Sequence, residues 1–159
     1  MARDATARLY DVDEDTVRFK KLDQTKDYDQ GVVTFRARRG RLIDLDKLHE
    51  SIWATRLSGG TRSGLVELQV DAIGTVITVG DETILKVSGA PAEFVLIPHR
   101  REEAAGVLDE LRKQANGTDR SVRVTGQIDD YQGRWPGVLK KRPMKPRRIL
   151  VTAFQMHEQ

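Results

Sequence analysis

The sequence predicts an α+β protein: a strand–helix–strand subdomain leads into a five-stranded Greek-key barrel with one helix between barrel strands three and four. Three observations predict it. Segments 65–79, 82–87, 93–97, 121–128 and 148–154 read as short strands, rich in β-branched and apolar residues and bounded by turn signals, with side chains alternating between faces most clearly in the first, fourth and fifth. One long segment of helical spacing, 101–114, falls between the third and fourth of them. Glycines interrupt the first and fourth strands, at Gly74 and Gly126. A glycine inside a strand marks a bulge or tight bend, and the first strand of a small barrel must curl to join both halves of the sheet.

The chain falls into three parts, 1–30, 31–64 and 65–159. Residues 1–30 are polar, with Asp11, Asp13, Glu14 and Asp15 close together, and read as a loosely ordered arm. Within it Val17 and Phe19 alternate with Arg18 and Lys20, which gives one short strand. In 31–37, Val33, Phe35 and Ala37 alternate with Val32, Thr34 and Arg36, a strand rich in β-branched and aromatic types. A basic turn follows around Gly40. Asp44 is a good N-cap, and Leu45, Leu48 and Ile52 share one face, so 44–57 reads as an amphipathic helix. Ser58, Gly59 and Gly60 stop it, with a glycine available for the left-handed C-cap.

Within the barrel, residues 79–82 and 88–91 form hairpin turns and Pro98 ends the third strand, since proline donates nothing to a ladder. The helix puts Ala104, Leu108 and Leu111 on one face, and Asn116-Gly117 terminates it. The long first strand serves both the subdomain and the barrel, leaving no flexible linker between them.

Two resemblances follow from these segments. Gly31–Arg36, followed by the helix that carries Leu45, Leu48 and Ile52, resembles the second half of a heavy-metal-associated domain. That resemblance implies a ferredoxin-like subdomain and a relation to metal-homeostasis proteins. The family binds soft metals through a Cys-x-x-Cys loop in its first half. This chain has no cysteine, so no metal ligands carry over and no cofactor is expected. Residues 65–159 resemble an OB-fold in strand order and glycine placement. OB-fold ligands lie across the second and third barrel strands, flanked by the loops joining strands one to two and four to five.

The loop at 129–147, between strands four and five, holds the densest positive charge of the chain. The stretch 134–148 contains Arg134, Lys140, Lys141, Arg142, Lys145, Arg147 and Arg148 with no acidic residue inside it, and Tyr131 and Trp135 sit before or within the run. Guanidinium and ammonium groups neutralise phosphates, and aromatic rings offer faces for bases. A solvated charged face is the competing explanation, with Trp135-Pro136 packing over the end of the barrel. The first flanking loop, at 80–82, is acidic, and strands two and three supply one aromatic, Phe94, where single-strand binders usually carry several. Net charge is only +3, so attraction for a polyanion must come from this clustering.

Other chemistry is thinly supplied. Without cysteine there are no disulfides, thiolate nucleophiles or thiolate metal sites. His49, His99 and His157 are far apart and lack metal-ligand spacing, and His49 reads as a surface residue of its helix. Residues 58–64 are glycine-rich but follow a helix and lack the Gly-Lys-Ser/Thr end of a phosphate-binding loop. The adjacent carboxylates Glu102-Glu103 and Asp129-Asp130 diverge in direction and make no acid–base couple. No apolar run approaches the roughly 20 residues needed to span a bilayer, and 1–6 lacks the apolar stretch of a signal peptide. The sequence therefore favours a non-enzymatic binding or adaptor module for a partner protein or anionic ligand. Single-stranded nucleic-acid binding is the alternative.

Overall fold

The computed structural model describes residues 2–22, 31–55, 60, 64–65, 67–129 and 146–157. It divides into two compact units, Met1–Leu65 and Val66–Gln159.

The first unit contains helix α1 (Ala2–Ala7), strands β1 (Val12–Lys21) and β2 (Gly31–Ala37), and helix α2 (Leu45–Ala54). Its two strands form an antiparallel two-stranded sheet. Thr6, Val12, Val17 and Leu48 are its most deeply buried side chains, with Ala5 and Ile52 beside them in the core. Ser51 Oγ donates to the Ala5 carbonyl at 3.0 Å and ties the two helices together. Asp44 caps α2 as its residue type requires, its Oδ1 accepting from the Asp46 and Lys47 amides at 3.0 and 3.1 Å.

Three expectations change here. The segment ahead of β2 holds a helix and a ten-residue strand rather than a loose arm with one short strand. The strand–helix–strand sheet does not form: β2 pairs with β1, and the strand after α2 belongs wholly to the second unit. Helix α2 stops at Ala54, short of the glycines, because Thr55 turns to an extended conformation, with its amide donating to the Ile52 carbonyl and its Oγ1 to the Ser51 carbonyl.

The second unit is a mixed five-stranded sheet that closes on itself in the order β3-β4-β5-β7-β6. Its strands are β3 (Gln69–Val79), β4 (Glu82–Val87), β5 (Glu93–Pro98), β6 (Val122–Ile128) and β7 (Arg147–Met156), with helix α3 (Val107–Ala115) between β5 and β6, the third and fourth strands of this unit. All pairings are antiparallel except β5 with β7. The strand expected from residue 65 begins at Gln69. The helical segment 101–114 is broken into a 3-10 turn (Glu102–Ala104) and α3 by Gly106, whose φ of 77° lies in the left-handed region.

Both interior glycines sit where the backbone has no room for a side chain. At Gly74, β3 changes partner, from Val122 of β6 to Val87 of β4, and a Cβ there would overlap the Lys86 carbonyl oxygen. At Gly126, beside a register shift between Thr125 and Gly126, a Cβ would overlap the Leu150 carbonyl oxygen. These are the bends that let a short sheet close.

Alternation along each strand sends one set of side chains inward. Val76, Leu85, Leu96, Val122, Val124, Ile128, Ile149 and Val151 are buried there. Helix α3 adds its apolar face of Leu108, Leu111 and Ala115, all buried, with Ala104 just ahead of it. Arg112 of α3 donates from Nε to Thr83 Oγ1 at 2.6 Å, which satisfies the fully buried threonine at the start of β4. No helix among the described residues is long and apolar enough to cross a membrane.

Candidate anion-binding site

The described residues on either side of the β6–β7 connection meet in the second unit. The Asp129 amide donates to the Arg148 carbonyl at 3.0 Å, and Arg148 Nη2 meets Asp129 Oδ2 at 2.8 Å. The Asp129 side chain is only 9% exposed and that of Arg148 about one third, so the pair is partly shielded from water. A charge-assisted bond of this length is among the stronger polar contacts available to a protein. It clips together the two feet of the connection.

Arg147 adjoins this clip as the first residue of β7, and not as a residue of the loop as expected. It pairs in register with Phe94 of β5, is 9% exposed, and shares the inward orientation of Ile149 and Val151. The start of β7 therefore sends Arg147 inward and Arg148 toward Asp129.

Of the residues singled out from the sequence, Arg147 and Arg148 are brought together at the base of the connection. Tyr131, Arg134, Trp135, Lys140, Lys141, Arg142 and Lys145 lie outside the described residues. Phe94 is a core residue, 8% exposed, with Leu85 and Arg147 as its register neighbours. A ring held inside the sheet has no face for a ligand, so its expected role as a stacking platform does not hold.

The outer faces of β4 and β5 are aliphatic where stacking rings would be expected. With Thr83, Leu85, Phe94 and Leu96 inward, Ile84, Val95 and Ile97 alternate to the other face, where Val95 is itself buried at 8% exposure, and register places Ile77, Ile84 and Val95 in one row across three strands. Lys86 and Glu93 stand opposite each other in the next outward row.

The first unit contains a basic cluster whose partners the sequence did not reveal. The Arg38 and Arg41 guanidiniums lie over the Tyr10 ring, 5.6 and 5.0 Å from its centroid. Arg38 Nε also donates to the Val12 carbonyl at 2.9 Å, and an Arg41 Nη lies 3.3 Å from Tyr10 Oη. The turn was visible as a basic run around Gly40, but Tyr10 is some thirty residues away, and only the β1–β2 pairing brings it near.

The histidines form no cluster. His49 is half-buried on α2 with its ring nitrogens shielded from solvent, not on the surface as expected. His99 Nδ1 accepts from the Arg101 amide at 3.1 Å. Among the described residues no group of three or more His, Cys, Asp or Glu side chains is arranged to hold a metal ion.

Comparison with family models, with curated proteins and with solved structures gives no match to this chain.

Proposed function

We propose that the chain is a non-enzymatic binding or adaptor module, whose OB-type barrel engages an anionic ligand or a partner protein through the connection between β6 and β7. The observation that carries this reading is the clip at the base of that connection. Asp129 and Arg148 hold the two feet together, with the cationic Arg147 beside them. The segment they bracket carries Arg134, Lys140, Lys141, Arg142 and Lys145, and beyond Asp130 it contains no acidic residue. In a protein of net charge +3, attraction for a polyanion has to come from such local clustering in the sequence.

The charges of this segment suit phosphates and carboxylates alike. Nucleic-acid binding at this site ranks second, since the outer β4–β5 face offers aliphatic side chains where single-strand binders place stacking rings. The relation to metal-homeostasis proteins rests on the helix–strand resemblance alone, without metal ligands.

The test is charge reversal of Lys140, Lys141 and Arg142 together. Binding of a fluorescent 20-residue polyglutamate and of a labelled 20-mer oligothymidylate is followed by anisotropy across a salt series. The reading expects at least tenfold weaker binding of whichever anion the wild type prefers, with a shallower salt dependence. Unchanged affinity for both would remove the connection from the function.

A further inference from the structure

We infer that the solvent face of the β1–β2 hairpin and the adjoining turn at residues 38–41 bind the phosphodiester backbone of a single nucleic-acid strand. This site goes beyond the barrel reading and uses none of its residues.

The register defines the face. Arg18 pairs with Thr34 and Lys20 with Val32, while Val17 is buried in the core, so Arg18, Lys20, Val32, Thr34 and Arg36 share the side turned away from that core. β1 bulges between Asp13 and Arg18. Thr16 mends the gap: its Oγ1 accepts from the Arg36 amide at 2.9 Å and donates to the Asp13 carbonyl at 2.6 Å. The bulge leaves an open depression of about 390 Å³, lined by Asp15, Thr16, Arg18, Thr34, Phe35 and Arg36.

Arg38, Arg39 and Arg41 extend the basic line past β2. The Arg41 amide donates to the Arg38 carbonyl at 2.9 Å, and Gly40 takes a φ of 72°, so the three guanidiniums stem from one tight turn. Register sets Arg36 opposite Asp13 and Asp15 lines the depression, yet Lys20, Arg36, Arg38, Arg39 and Arg41 enter none of the ion pairs seen among the described residues. Unpaired exposed arginines usually lose side-chain entropy on binding. Here two of them are already held, by stacking on Tyr10, which is itself 66% exposed.

Dimension and chemistry choose the ligand. From the register position of Lys20 to Arg36 is four strand residues, about 13 Å, and the arginine turn lies beyond. One phosphate or one carboxylate cannot span that line, whereas a polymer of regularly spaced charges can. Guanidinium planes also accept unpaired bases as stacking partners, which favours an unwound strand over a duplex.

The test uses the full chain and a fluorescein-labelled 20-mer oligothymidylate, read by anisotropy between low and moderate salt. Lys20→Glu with Arg39→Glu alters two exposed side chains that make no hydrogen bond within the described structure, and far-UV circular dichroism checks the fold. The double variant should bind at least tenfold more weakly, its log K versus log salt slope shallower by about 0.7 for each phosphate it no longer neutralises. Tyr10→Phe, which keeps the ring, should bind like wild type, and Tyr10→Ala, which frees both arginines without changing charge, should bind several-fold more weakly. Three results would overturn the inference: no wild-type binding at low salt, equal binding of a 20-base-pair duplex, or wild-type affinity in the double variant. If affinity persists in that variant but vanishes on charge reversal at 140–142, the barrel reading stands and this one fails.

Discussion

The two units deal differently with the open edge of a β-sheet. In the second, every strand has two hydrogen-bonded neighbours and the ladder returns to its start. In the first, β1 and β2 have only each other, and each presents one unpaired edge within the described sheet. Exposed edges invite further strand pairing, and proteins blunt them with charges and bulges. The hairpin carries both, in its bulge and in Arg18, Lys20 and Arg36. Closure leaves the barrel no open edge, which is why the proposed binding role falls to a connection rather than to a strand. The hairpin can give its outer face over to charge because that face contributes little to the core.

The comparison breaks most sharply at Gly74. Gly74→Val drives a side chain into the Lys86 carbonyl at the point where β3 changes partner, and should destabilise the barrel by about 4 kcal/mol or more, the range of severe backbone and packing defects. Urea unfolding followed by circular dichroism would show loss of the barrel transition; a shift under about 1 kcal/mol would mean that the strand need not bend there. Leu111→Ala removes a fully buried side chain from α3 and should cost about 3 kcal/mol, while Leu48→Ala should do the same to α2. If the units unfold separately, each substitution moves its own transition and leaves the other in place, and a single shared transition shifted by both would contradict that independence.

Smaller effects sharpen the contrast. Asp129→Asn removes the charge from the clip and should cost about 1–2 kcal/mol in the barrel, because the shielded carboxylate accepts a charge-assisted bond. It should also weaken anion binding by the connection, despite making the site less negative. Tighter binding would show that the clip holds the cations back rather than concentrating them. Asp44→Ala should cost about 1 kcal/mol, confined to the first unit, through two lost cap bonds.

What was legible in the sequence followed local rules. Glu82–Val87, set between two turn clusters, forms β4 with those bounds, Pro98 ends β5, and Asp44 caps α2. Gly74 and Gly126 announced bends because a residue with no side chain weakens a strand unless the backbone must turn or pass closely there. The failures needed partners distant in sequence. Nothing in 31–37 says whether β2 pairs with β1 or with the strand after α2, since either neighbour satisfies the same alternation. Phe94 resembles a stacking ring in the sequence because an aromatic on a strand reads the same on either face, and only its register with Leu85 turns it inward. Gly106 fits within a helical spacing that its left-handed backbone interrupts. The Tyr10 stack was hidden because cation–π partners carry no spacing rule across a hairpin.

The way β7 completes the sheet also sets an order of events. Its parallel pairing with β5 and the pairing of β3 with β6 both join residues roughly fifty positions apart, whereas the β3–β4 and β4–β5 pairs are local. Chain-closure entropy must be met before those distant contacts return anything, so the three-stranded meander of β3, β4 and β5 is expected to form first. Until β7 arrives, the inner faces of Leu85, Phe94 and Leu96 have no cover from the other half. A refolding experiment should show the second unit as the slower phase, and the waiting meander as the species that aggregates when refolding is attempted at high concentration.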